Sequence, residues 1–194
     1  MKPLILASAS PRRCALLTQI GVSFECCAQD LPEHRLPGEA AQTYVRRLAL
    51  EKARAGFVGG GSVRPALGAD TAVVCDDDIL GKPRDEDDAV RMLMLLSGRR
   101  HQVMTGVALV DAQRAESRVV TTEVEFRPLT EAMCRRYWAS GEPGDKAGAY
   151  AIQGLGAVFV LTMTGSYSSV VGLPLAETAH LLEQFAVPLW YKTE

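Results

Sequence analysis

Ser8-Ala9-Ser10-Pro11-Arg12-Arg13 follows a short apolar run, Leu4 to Ala7, and leads into a helical pattern, so two hydroxyls and two guanidinium groups stand at a strand-to-helix junction. Ser10 is a good N-cap and Pro11 a good first helical residue, because proline's missing N–H would be unpaired there. The free N–H groups of a helix start, with Ser8, Arg12 and Arg13 beside them, suit a phosphate. A solvated basic turn fits the same residues. Gly68-Ala69-Asp70-Thr71 sets a carboxylate among small residues at a strand start, where a ligand can approach closely, and Gly81-Lys82-Pro83 sets an ammonium between two turn formers. Glu33 lies in a proline-bounded loop, and a second carboxylate would let the site hold a hard cation such as Mg²⁺ through oxygen ligands and substrate phosphates.

The elements that must position these groups follow from periodicity. The spacing of Ala41, Val45, Leu48 and Ala49 predicts a helix from Glu39 to Phe57, and Lys52 falls within its apolar stripe. A lysine there either runs its stem along the core to water or aims its charge into a polar cleft. Asp70 to Leu80 reads as a β-hairpin turning at Asp76-Asp77-Asp78, which would bring Asp70 and Lys82, at its outer ends, near one another. Asp85 caps a helix ending at Gly98, and the acidic run from Asp85 to Asp88 suits that helix start. A second hairpin is expected over Gln102 to Val110 and Val119 to Phe126. Thr130 caps a helix to Ala139. Gly141 to Gly156 reads as a glycine-rich loop, Ala157 to Met163 as a strand, Gly165 to Gly172 as another loop, and Pro174 opens a last helix to about Phe185. The expectation is a mixed α/β fold.

The chain has 194 residues, 47% hydrophobic and 23% charged, which suits one domain over 1–194 with a real core. A formal net charge of -2 gives no global attraction to nucleic acid or an anionic membrane, so phosphate must be held by a local basic cluster. The Arg135-Arg136-Tyr137-Trp138 cluster reads as helix, with its aromatics in the core. Five cysteines without paired ligand spacing suit reduced thiols. His34, His101 and His180 have no triad or zinc-ligand spacing and read as structural. No signal-peptide core and no apolar span of ~20 residues is apparent, so a cytoplasmic protein is expected.

In order along the chain, Leu6-Ala7-Ser8-Ala9-Ser10-Pro11-Arg12-Arg13, the helix from Tyr44-Val45-Arg46-Arg47-Leu48-Ala49 to Glu51-Lys52-Ala53, Gly68-Ala69-Asp70-Thr71, Gly81-Lys82-Pro83, and Ser97-Gly98 before His101-Gln102-Val103-Met104-Thr105-Gly106-Val107 resemble the Maf (septum formation inhibitor) family. The resemblance implies a mixed sheet with two lobes around a central cleft, as in the inosine triphosphatase-like pyrophosphatases, and a homodimer. It also implies hydrolysis of a nucleoside triphosphate to monophosphate and pyrophosphate, dependent on a divalent metal, Mg²⁺ or Mn²⁺. Asp70 would be the base for water and, with Glu33, a metal partner. Lys52 and Lys82 would stabilise charge, and Ser8, Arg12, Arg13 and Thr71 would contact substrate.

Gly148-Ala149-Tyr150-Ala151-Ile152-Gln153-Gly154 resembles the dTTP/UTP branch, whereas the 7-methyl-GTP branch would carry glutamate at 153. A neutral amide can accept from N3–H of thymine or uracil and donate to a ring carbonyl. One departure is Ser169, where the family commonly has asparagine. The rival reading is a non-catalytic nucleotide-binding regulator of cell division; the set of Asp70, Lys52, Lys82 and Glu33 argues for the enzyme.

Overall fold

The computed structural model describes residues 3–28 and 30–190. Strand β1 (Leu4–Leu6) is followed by helix α1 (Pro11–Gln19), β2 (Phe24–Cys26), α2 (Ala41–Gly59), β3 (Ala66–Cys75), β4 (Asp78–Leu80), α3 (Glu86–Leu96), β5 (Arg100–Val110), β6 (Ala115–Phe126) and α4 (Glu131–Trp138). Short 3-10 turns at Glu142–Asp145, Ala147–Ala149 and Leu155–Phe159 lead to β7 (Val160–Thr164), α5 (Tyr167–Val171) and α6 (Leu175–Gln184). The strands form one sheet in the order β2-β1-β3-β5-β6-β7, with β4 also paired to β3.

The sheet is mixed because its connections are. β1 runs parallel to both β2 and β3, and the helices α1 and α2 provide the crossovers that parallel neighbours require. β4 returns antiparallel along β3, pairing Cys75 with Asp78 and Val73 with Leu80, and β7 lies antiparallel to β6. The predicted caps are all present: the side chains of Ser10, Asp85 and Thr130 accept from the backbone N–H of Arg13, Asp88 and Met133. Several elements differ from expectation. β3 begins at Ala66, so Asp70 lies inside the strand and not at its start. β2 has no predicted counterpart, and part of the loop expected over 165–172 is the short helix α5. No helix among the described residues is long and apolar enough to cross a membrane.

The chain divides into two compact units, one of Met1–Asp70, Thr105–Val120 and Gly172–Glu194, the other of Thr71–Met104 and Thr121–Val171. In the second, α3 and α4 pack together, and Leu93, Leu96, Val124, Phe126, Cys134 and Phe159 are core residues. His101 is buried there, its Nε2 2.9 Å from the Tyr150 hydroxyl, and burial holds its pKa down at about 4, so it stays neutral as a structural residue would.

In the first unit, Leu4, Ile5 and Leu6 are wholly buried, as are Val45, Leu48, Ala49 and Ala53 of α2. Two glycines let α2 seat closely. A Cβ on Gly68 would stand 2.3 Å from the Ala49 carbonyl oxygen and 2.5 Å from the Ala53 nitrogen, and one on Gly106 would stand 2.4 Å from the Val45 carbonyl oxygen. These are backbone atoms, so no side-chain rotation relieves the overlap. Gly68→Ala must displace the turn of α2 that carries Lys52. It is expected to destabilise by about 1 to 3 kcal/mol or more, read as a lower urea midpoint at unchanged slope. An unaltered midpoint would show that α2 can move away at no cost.

Candidate active site

Four elements of the first unit bring Ser8, Arg13, Glu33, Lys52 and Asp70 together. Lys52, one residue before the tight α2 contact, does not snorkel to water. It is 7% exposed, and its Nζ lies 2.6 Å from Asp70 Oδ1 and 2.5 Å from Glu33 Oε1. Asp70 is 6% exposed within β3, while the Glu33 side chain retains 46% of its surface. One ammonium thus holds a buried and a half-exposed carboxylate within the span of two short contacts. Burial pushes the Asp70 carboxyl above its ordinary range, against the opposing pull of Lys52 and Arg13.

The β1 to α1 junction supplies the neighbouring positive charge. Ser8 Oγ accepts from the Ser10 N–H at 3.2 Å and from Arg13 Nη1 at 3.2 Å, and Arg13 Nε donates to the Gly172 carbonyl at 2.9 Å. Ser8 therefore orients both the turn and the guanidinium. Desolvation lowers the Arg13 pKa, and the negative charge of Asp70 offsets part of that shift. Arg12 follows Pro11 in the first helical turn. Lys52 pairs with both carboxylates and Arg13 is in electrostatic reach of them, with Arg12 next to Arg13 in sequence, so basic groups gather where an anionic ligand would be favoured.

Glu33 is held through its backbone. Tyr44 Oη donates to the Glu33 carbonyl at 3.2 Å and Arg47 Nη2 to the His34 carbonyl at 2.9 Å, both from α2. Arg47 also forms a forked pair with Glu39, at 2.7 and 2.8 Å, and Glu39 accepts from the Leu36 N–H at 3.0 Å. The residue pattern did not reveal Tyr44, Glu39 and Arg47 as supports of the site. Burial, with Asp70 and Glu33 nearby, pushes the Tyr44 hydroxyl up to about 12, so it remains a donor.

Hydrogen bonds from Arg47 hold Glu39 at about 2, below the ~4.3 of an unfolded glutamate. That depressed pKa contributes stability that is fully present above the unfolded value and is lost as pH falls towards about 2. Glu39→Gln is therefore expected to cost about 2 kcal/mol at neutral pH and to flatten the acid side of the stability curve. Equal stability of the two proteins across pH 3 to 7 would remove the pair from the account.

Three predicted site residues belong to the second unit, which gives two of them a shared frame. Lys82 is exposed in the turn after β4, and Gln153 is exposed between Ile152 and Gly154. The Gly148 N–H donates to the Gly81 carbonyl at 3.0 Å, tying the lysine's turn to the segment that leads to Gln153. Thr71 opens this unit, next to Asp70 along β3.

Asp70 and Glu33 are the two side chains that could offer oxygen ligands to a hard divalent cation. Asp70 and Glu33 present carboxylate oxygens to one point, now bridged by Lys52, and hard ions take oxygen ligands. Among the described residues no cluster of three or more His, Cys, Asp and Glu side chains is arranged to hold an ion. An ion at Asp70 and Glu33 would complete its shell with water and substrate phosphates, as Mg²⁺ characteristically does.

The family model described as Maf-like protein matches residues 3–185. The chain is 53% identical over 182 residues to the dTTP/UTP pyrophosphatase of Vibrio parahaemolyticus, covering 94% of this chain and 96% of that protein. It is 55% identical over 186 residues to the dTTP/UTP pyrophosphatase of Pectobacterium atrosepticum, covering 96% and 94%. Among solved structures it is similar to the nucleoside-triphosphatase / dITP/XTP pyrophosphatase of Mycobacterium abscessus, at 18% identity and a TM-score of 0.46 over 63% of this chain and 73% of that one.

Proposed function

The chain belongs to the Maf family, and on that premise we propose that it is a nucleoside triphosphate pyrophosphatase that hydrolyses dTTP and UTP to the monophosphate and pyrophosphate. Relatives that share more than half of its residues over nearly its whole length carry the name dTTP/UTP pyrophosphatase. The observation that carries the reading is the buried Asp70 carboxylate held against Lys52, with Glu33 on the other side of the same ammonium.

A triphosphate repels a nucleophile, so the site must neutralise charge before water can attack. Arg12 and Arg13 at the start of α1 bind the phosphate tail, while Lys52 and Lys82 stabilise the charge that develops as the α to β phosphoanhydride breaks. Asp70 orients water and takes its proton as the new P–O bond forms; the raised proton affinity of the buried carboxylate favours that transfer. A Mg²⁺ or Mn²⁺ ion held by Asp70 and Glu33 would supply further neutralisation of phosphate charge. Ser8 and Thr71 serve the substrate from their two motifs, and Gln153 reads the pyrimidine through N3–H and a ring carbonyl. The protein acts in the cytoplasm as a homodimer.

The test is turnover of dTTP, UTP, CTP and GTP with and without Mg²⁺. The proposal expects Mg²⁺-dependent hydrolysis with dTTP and UTP ahead of GTP. Tight binding of dTTP without turnover would favour a nucleotide-responsive regulator instead.

A further inference from the structure

Gln153 is exposed, so burial does not fix its side chain, and reading a base requires that its backbone be held. Backbone hydrogen bonds to one carboxylate and one phenol bracket it on both sides. Tyr137 Oη, from α4, donates to Glu142 Oε1 at 2.6 Å and accepts from the Ala151 N–H at 3.1 Å. Glu142 Oε2 accepts from the Leu155 N–H at 3.0 Å, and Oε1 accepts from the Gly156 N–H at 3.0 Å. A Cβ on Gly154 would stand 2.1 Å from Glu142 Oε2, so a side chain there would have to push the carboxylate aside. Burial raises the Glu142 pKa, but the Tyr137 hydroxyl and the two N–H groups outweigh it and keep the carboxylate ionised.

We propose that Glu142 and Tyr137 are positioning residues for substrate selection: they hold residues 151–156 so that the Gln153 amide meets the pyrimidine edge. This inference rests on the reading of Gln153 as the group that recognises the base. A carboxylate suits the task because both oxygens are acceptors, and here each faces a different N–H. The amide of Glu142→Gln offers one acceptor oxygen, so one of the two N–H groups would face an NH₂. Loss of that bond lets the loop shift, and small misplacements in a site are costly to substrate selection.

The experiment compares kcat/KM for dTTP and GTP in the native protein, Glu142→Gln, Gln153→Ala and the double variant. Glu142→Gln is expected to lower the dTTP to GTP ratio about tenfold, mainly through the KM for dTTP, and to change it no further when Gln153 is already alanine, because coupled residues are not additive. Tyr137→Phe, which keeps the ring and removes the hydroxyl, is expected to reproduce the effect and replaces Glu142→Gln if that variant does not fold. An equal fall for both substrates, or a ratio change that persists in the Gln153→Ala background, would overturn the positioning role. If Gln153→Ala alone leaves the ratio at its native value, the base-reading assignment of Gln153 fails first, and the positioning proposal with it.

Discussion

Asp70→Asn is expected to lower dTTP turnover by at least ~10²-fold in a protein that remains folded, the loss typical of a missing general base. The amide has nearly the carboxylate's shape but takes no proton from water. Lys52 keeps Glu33 at 2.5 Å, so the substitution does not strand the ammonium, and circular dichroism should show native structure. In the native protein the same group sets an acid limit. Activity requires ionised Asp70, and burial raises its pKa, so kcat/KM should fall at a pH above the ~3.9 of an ordinary aspartate. Near-native turnover of folded Asp70→Asn would remove this residue from the chemistry.

The second large effect is expected of Lys52→Met, with turnover reduced about 10² to 10³-fold, as for loss of one charge-stabilising donor. The stem is matched and the charge is gone. Three consequences follow from the geometry. The cation that countered burial of Asp70 is lost, so the pKa of Asp70 rises further and the acid limb of kcat/KM moves to higher pH. Asp70 and Glu33 then repel one another. The Asp70 charge is also left buried with less compensation, which costs up to about 3 to 5 kcal/mol at neutral pH. Because the folded-state pKa of Asp70 is raised, the folded protein binds the proton more tightly than the unfolded chain, and this stability should return as pH falls through that pKa. A variant that loses activity with an unmoved acid limb would mean that Lys52 does not act on Asp70.

Lys52 shows how much of the site was legible in the sequence. Its place on an apolar stripe raised the choice between snorkelling and a polar destination, and the structure decides for Asp70 and Glu33. The pattern could not name the destination, because the partner lies 18 residues away. Caps were legible for the opposite reason: Ser10, Asp85 and Thr130 bond within three residues of themselves. β2 and α5 escaped because they are short, and β2 buries none of its residues, leaving no hydrophobic period to read. The forked Glu39 to Arg47 pair, the Tyr44 bond to the Glu33 carbonyl and the hold of Glu142 on Leu155 and Gly156 were hidden as well. Each joins a side chain to a distant group whose position depends on the folded path of a loop.

Product analysis of a single dTTP reaction tests the central claim most directly. With Mg²⁺ and limiting conversion, chromatography and phosphorus NMR of the mixture should show dTMP and pyrophosphate in equal amounts, with both reduced by at least ~10²-fold when Asp70→Asn replaces the native protein. Appearance of dTDP and orthophosphate as the first products would place the broken bond between the β and γ phosphates and contradict the account.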